Sequence, residues 1–175
     1  EIPPALMVHR STLIATPDKL YFGDDKSCKV FDPATGKLFD EIVIVEDKSS
    51  GTFWKWMALE DGVLYALVGE QELRDPVIRG KRETHGWPWN PLSPGFNFNE
   101  EVWGFGRTLV AIDPATKKEL WRRQETEPVD SRALCMKSGR IYAFRFGAYL
   151  ACLDAKTGKE IWRKTKDNAP ELFTA

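Results

Sequence analysis

The chain has 175 residues, 42% of them hydrophobic, with 25 Lys and Arg set against 26 Asp and Glu. That length allows one sizeable core, and the near-neutral balance excludes a long-range field that would gather nucleic acid or an anionic membrane. No apolar run reaches the roughly 18 residues of a membrane-spanning helix; an initiator Met and a secretory n- and h-region are also missing, so a processed or truncated N-terminus is expected.

In chain order, "STLIAT", "KLYFG", "CKVFD" and "EIVIV" are short and rich in β-branched and aromatic residues. They are separated by "TPDK", "GDDKS" and "PATGK", which carry the Asp, Gly or Pro of tight reversals. This opening region therefore reads as four short antiparallel strands. "MALEDGVLYAL" begins a second such unit and "LCMKSGRIYAF" a third, with "LEDG" and "MKSG" at the matching turn. No 3.6-residue period is sustained, which excludes a helical solenoid.

Two landmarks fix the repeat. Tyr21, Tyr65 and Tyr142 align, and so do Asp32, Asp113 and Asp154 in "VFDPATGKLFD", "AIDPATKKELW" and "CLDAKTGKEIW". The tyrosine-to-aspartate distances are 11, 48 and 12 residues, so the middle unit carries about 37 extra residues and hides no further copy. Four strands every 40-odd residues is the spacing of a propeller blade. The expected fold is all-β: a partial β-propeller of three four-stranded antiparallel blades, at about 11–50, 51–128 and 129–167. An insertion is expected at about 70–105 of the second blade. Closed propellers take about four to eight blades. The chain is therefore expected to be an excerpt of a longer propeller, or to self-associate into a ring, with an apolar face exposed on a terminal blade.

The tryptophan eight residues after the aspartate, Trp121 after Asp113 and Trp162 after Asp154, falls on the outermost strand. There an indole can lie flat on the next blade while its N–H finds a backbone acceptor. Ala-x-Asp-x-x-Thr-Gly-x-x-x-Trp resembles the tryptophan-docking motif of the pyrroloquinoline-quinone-type propellers, a superfamily that includes quinoprotein alcohol dehydrogenases and outer-membrane-assembly propeller lipoproteins. The resemblance implies structural docking roles for Trp121, Trp162, Asp113, Thr116, Asp154, Thr157 and Gly158, and a periplasmic or extracellular location. Three positions depart from it: Lys117 replaces a turn glycine, Cys152 replaces the alanine, and Asp40 stands where tryptophan is expected. Asp40 implies that the first unit docks differently.

In the quinoprotein dehydrogenases of that superfamily, the quinone is sandwiched between a tryptophan and a vicinal disulfide, beside a calcium ion held by Glu, Asn and Asp. This sequence has no adjacent cysteines and no recognisable calcium-ligand cluster, so no cofactor and no metal are expected. The recurring aspartates read as turn caps. Cys28, Cys135 and Cys152 lie in apolar strand contexts and read as buried free thiols. Two histidines, His9 and His85, cannot build a multi-histidine site, and Ser93, His85 and Asp75 have nothing to orient them as a triad.

The insertion gathers Trp87, Trp89, Phe96, Phe98, Trp103 and Phe105 with Arg79, Lys81, Arg82 and His85. So many rings are costly to leave in water. Three roles stay open for it: packing onto the scaffold, recognition of a glycan or protein, and a redox role. Because it follows the second strand of its unit, it is expected to emerge on the face opposite the aspartate turns. The functional expectation is a non-catalytic scaffold or recognition segment. The alternative is part of a quinoprotein-like oxidoreductase whose catalytic residues lie outside this chain.

Overall fold

The computed structural model describes residues 12–24, 26–44, 53–69, 104–145 and 147–173. They form three four-stranded sheets, each with its strands in chain order. Sheet 1 holds β1 (Leu13–Ala15), β2 (Leu20–Gly23), β3 (Ser27–Phe31) and β4 (Leu38–Val43). Sheet 2 holds β5 (Phe53–Glu60), β6 (Val63–Gly69), β7 (Phe105–Asp113) and β8 (Lys118–Asp130). Sheet 3 holds β9 (Leu134–Lys137), β10 (Arg140–Arg145), β11 (Tyr149–Asp154) and β12 (Glu160–Thr165). Every pairing is antiparallel. This is the all-β partial propeller that the repeat spacing implies.

Local chemistry places the reversals. Asp61 and Gly62, and again Ser138 and Gly139, all have positive φ. Two such central residues make the turn whose twist matches a tight hairpin. At the other reversals on that end, the Asp32, Asp113 and Asp154 turns join the third and fourth strand of each sheet. Beside each of these turns the register slips by one residue, between Val30 and Phe31, Ala111 and Ile112, and Cys152 and Leu153. Phe39, Leu120 and Ile161 are the extra residues of these three bulges, and all three are exposed. A bulge of this kind re-aims the side chains that follow it.

The core lies between the sheets. In sheet 2, alternate residues serve opposite neighbours, as the period of two requires. Leu64, Ala66, Val68, Val110 and Ile112 pack with Tyr21, Cys28, Val30 and Ile42 of sheet 1. Tyr65, Leu67, Leu109 and Ala111 pack with Ile141, Ala143, Ala151 and Leu153 of sheet 3. Each of these large apolar side chains contributes about 1.5–3 kcal/mol on full burial.

The far faces of sheets 1 and 3 differ from the middle one. Leu13, Phe22 and Val43 of sheet 1 are exposed, with Leu13 at 62%. Cys28 and Cys152 are buried, but Cys135 is exposed, against the expectation from its apolar context. Cys135 pairs with Tyr142 on the edge strand β9, and that register turns it away from sheet 2. No helix among the described residues is long and apolar enough to cross a membrane.

Candidate functional site

The aspartate turns come first because they carry the most reactive-looking side chains. Asp32 Oδ1 accepts from the N–H groups of Ala34 and Thr35, each at 2.8 Å. Asp113 accepts from Ala115 N at 2.9 Å and, through Oδ2, from Thr116 Oγ1 at 2.7 Å. Asp154 Oδ1 accepts from Thr157 N at 2.8 Å and Thr157 Oγ1 at 2.7 Å. These bonds hold all three carboxyls below the ordinary carboxylate range; the Thr35 N–H leads at Asp32, and the Thr116 and Thr157 hydroxyls lead at Asp113 and Asp154. A general base poised near neutral pH needs the opposite shift and a free lone pair.

Two seams run between the sheets, and they are built differently. At the second, Trp121 of β8 reaches sheet 3, where its Nε1–H donates to Ala155 O at 2.8 Å. The indole lies over Gly158, whose φ is +69°; a Cβ there would stand 2.7 Å from Trp121 Cε3. Tyr65 braces the ring from its own sheet at 6.1 Å between centroids. At the first seam, Asp40 holds the register of Trp121, since Tyr21 pairs with Val30 and Val30 with Asp40, as Tyr65 pairs with Ala111 and Ala111 with Trp121. Its carboxylate accepts from Lys117 Nζ, the residue at the turn position of Gly158.

Trp162 has the same internal setting, opposite Cys152 and with Tyr142 at 6.4 Å. It is nevertheless 38% exposed, because among the described residues no further sheet covers that face. Thr116 and Thr157 donate to their own turn aspartates, and Thr157 Oγ1 also accepts from Lys159 N at 3.3 Å.

Charge closes the second seam at its outer edge. Arg123 pairs with Glu125 and with Glu160 at 3.0 Å, and Arg163 pairs with Glu125 at 2.8 Å and Glu160 at 2.9 Å. Glu125 is 7% exposed. Arg163 lies over the Tyr149 ring, 4.1 Å from its centroid. Beside Trp121 a cleft of about 560 Å³ opens between the sheets, with Tyr65, Leu120 and Arg140 in its walls. Glu60 bridges it, accepting from Ser138 N at 2.9 Å and Gly139 N at 2.7 Å.

The aromatic and basic set Trp87, Trp89, Arg79, Lys81, Arg82 and His85 lies outside the described residues, as do Ser93 and Asp75. Its roots are described: the insertion leaves β6 at Gly69 and returns at Phe105, at the strand ends opposite the aspartate turns. Phe105 sits between two guanidinium groups, Arg132 at 5.6 Å and Arg145 at 5.5 Å from its centroid. Asp130 accepts from Arg132 Nε at 2.7 Å, and Arg145 donates to Pro128 O at 2.8 Å. The sequence does not announce this stack, because its three members come from β7, the turn between β8 and β9, and β10, and carry no common spacing.

Three repeated sheets, each with a capped aspartate turn between its third and fourth strands and packed face to face, define a partial β-propeller whose repeats are similar to those of the pyrroloquinoline-quinone-like propellers. The sequence model of the outer membrane protein assembly factor BamB family matches residues 106–171. No curated protein matches the chain. Among solved structures it is similar to a europium-containing methanol dehydrogenase, with a TM-score of 0.54 and 11% identity over 91% of this chain and 26% of that one. BamB from Moraxella catarrhalis is similar with a TM-score of 0.51 and 11% identity, over 90% of this chain and 38% of that one. The computationally designed Ika4 protein gives 0.53 and 12% identity, over 90% and 73%. The chain thus spans well under half of the two natural proteins. At these identities the likenesses show the fold alone.

No three His, Cys, Asp or Glu side chains among the described residues converge as metal ligands, and the three cysteines are separate and free.

Proposed function

We propose that the chain is a non-catalytic segment of a BamB-like propeller, acting as a scaffold or recognition module for a protein or glycan, in the periplasm or outside the cell. The observation that carries this reading is the use made of the three turn aspartates. Each of the best-placed carboxylates is committed to N–H or hydroxyl groups of its own turn. None of the three is therefore left free to act as a general base. The match to the BamB family over residues 106–171 supports the same assignment and the exported location.

In this reading Trp121, Trp162 and the turns of Asp113, Thr116, Asp154, Thr157 and Gly158 are docking joints between blades. The blades that close the ring come from further chain or from a second copy. The units are about 11–50, 51–128 and 129–167. The recognition surface is the insertion, with Trp87 and Trp89 as rigid aromatic anchors and Arg79, Lys81, Arg82 and His85 as polar contacts.

The test is a double substitution, Trp87→Ala with Trp89→Ala, assayed against an immobilised glycan panel and a panel of extended peptides. Binding lost with an unchanged melting temperature supports the reading. A large drop in melting temperature shows instead that the rings pack the scaffold. Stoichiometric quinone with alcohol-dependent dye reduction would replace the scaffold reading with the oxidoreductase one.

A further inference from the structure

The two seams amount to a two-letter code. Trp121 needs a glycine beneath it, because at the Gly158 position even a Cβ would stand 2.7 Å from the ring. Asp40 needs a cation, and Lys117 supplies it at a φ of +59°, close to the +69° of Gly158. Crossing the two fails either way. A tryptophan over Lys117 meets a side chain where Gly158 leaves space, and an aspartate over Gly158 meets no charge.

Each end of the array carries one unmatched letter. At the sheet 3 end, Trp162 is in the register of Trp121 but is 38% exposed. Phe173 stacks on Phe144 two residues along β10 from Tyr142, so the open part of that face is the Tyr142–Trp162 corner. At the sheet 1 end, turn 32–36 repeats the turn that Trp121 covers. Gly36 has a φ of +69°, and its N–H donates to Asp32 O at 2.8 Å, as Gly158 N–H does to Asp154 O at 2.8 Å. Among the described residues, nothing lies within 4 Å of where a Cβ on Gly36 would stand. The adjoining face is the apolar one of Leu13 and Phe22.

We propose that Trp162 docks on turn 32–36 of a second copy of this chain, its Nε1–H donating to the Pro33 carbonyl and its ring lying over Gly36. This rests on the docking reading above and names its occupant. Among the described residues no other turn of this kind is open to it, since turn 113–117 carries Lys117 and turn 154–158 is already covered by Trp121. A head-to-tail contact closes when the rotation fits, and two copies of three sheets give six blades, inside the usual range of about four to eight.

The experiment is light scattering on the 175-residue chain, with circular dichroism to check each variant's fold. The wild type is expected at about 40 kDa, twice the 20.0 kDa of one chain. Trp162→Asp and Gly36→Lys should each run as a folded species at the single-chain mass. Combined in one chain they should restore the double mass, now weakened by salt, because they rebuild the Asp40–Lys117 pair at the outer seam. A wild type at the single-chain mass, or a dimer that survives both single substitutions, overturns the proposal. A folded, cooperatively melting monomer would still leave the scaffold reading standing, whereas a chain without β structure would sink both.

Discussion

Asp40 accepts from Lys117 across the first seam, and the two residues stand 77 positions apart in the sequence. Taken singly, each is a departure from the repeat: an aspartate for a tryptophan, and a lysine for a turn glycine. Together they are one substitution. Both are partly exposed, and the Lys117 ammonium is the main cause holding the Asp40 carboxyl below its ordinary value. An exposed pair of this kind contributes little to stability. The first seam therefore relies on the apolar packing of Tyr21, Cys28, Val30 and Ile42, and the second adds an indole to comparable packing.

Converting the first seam to the chemistry of the second should strengthen it. Asp40→Trp with Lys117→Gly provides a ring, a glycine beneath it and the Pro114 carbonyl at the position of Ala155. The double variant is expected to raise the thermal midpoint by about 2–4 °C, whereas Asp40→Trp alone should lower it. A double-mutant cycle followed by thermal unfolding measures the coupling. Additive effects would show that the two residues are unrelated.

At the second seam, Trp121→Ala should cost about 2–3 kcal/mol, less than the roughly 3–5 kcal/mol of a fully buried tryptophan because the ring is half-buried. Trp121→Phe keeps most of the packing but orphans the Ala155 carbonyl, and should cost about 1 kcal/mol. Gly62 supplies an internal control for the glycine beneath the ring. Gly62→Ala meets only the positive-φ penalty of about 1–2 kcal/mol, because the space around it is open. Gly158→Ala meets the same penalty and also displaces the indole. Urea unfolding should rank Gly158→Ala clearly below Gly62→Ala; equal costs would remove the ring contact from the account.

The sheets were legible in the sequence because their signals recur. Tyr21, Tyr65 and Tyr142 hold equivalent places in β2, β6 and β10, and the aspartate turns fall between the third and fourth strand each time. The Asp40–Lys117 pairing was not legible, because no spacing within a single unit points to a partner in the next. The bulges at Phe39, Leu120 and Ile161 were hidden for a different reason: an unpaired residue changes register without changing the length of the repeat. Cys135 shows the same limit. An apolar context identifies a strand, and only pairing decides which of its faces is covered.

Two buried groups set an alkaline limit on the fold. Burial pushes the Cys28 thiol up to about 12 from its ordinary 9.0. Burial, helped by the Glu125 charge and opposed by Arg163, pushes the Tyr149 hydroxyl up to about 12 from 10.0. Folded-state values above the unfolded ones mean that the folded chain keeps protons the unfolded chain releases. Their contribution is complete below about pH 9 and is lost as pH rises toward 12. Urea midpoints measured from pH 8 to 11 should fall, and Cys28→Ala should flatten the part that begins near 9 while leaving the part that begins near 10. A wild-type midpoint that stays level to pH 11 would contradict these assignments.

The ring of Arg123, Glu125, Arg163 and Glu160 gives the last prediction, because it carries charge across the second seam in a drier setting than Asp40 and Lys117 occupy at the first. Glu125 bonds both arginines, and its side chain is 6% exposed against 33% for Asp40. Removing one member of a buried pair leaves its partners under-compensated, so Glu125→Ala should cost about 2 kcal/mol, with two guanidinium groups left to share Glu160 alone. Glu125→Gln keeps the shape and one acceptor, and should fall between that variant and the wild type. Salt separates the two seams: interactions exposed to solvent are screened over about 10 Å at 0.1 M ionic strength, and buried ones much less. The small loss from Asp40→Ala should therefore vanish between 50 mM and 500 mM NaCl, while the loss from Glu125→Ala persists. If urea unfolding shows the two losses fading together, the ring is a solvated surface cluster and contributes no more to its seam than the exposed pair does.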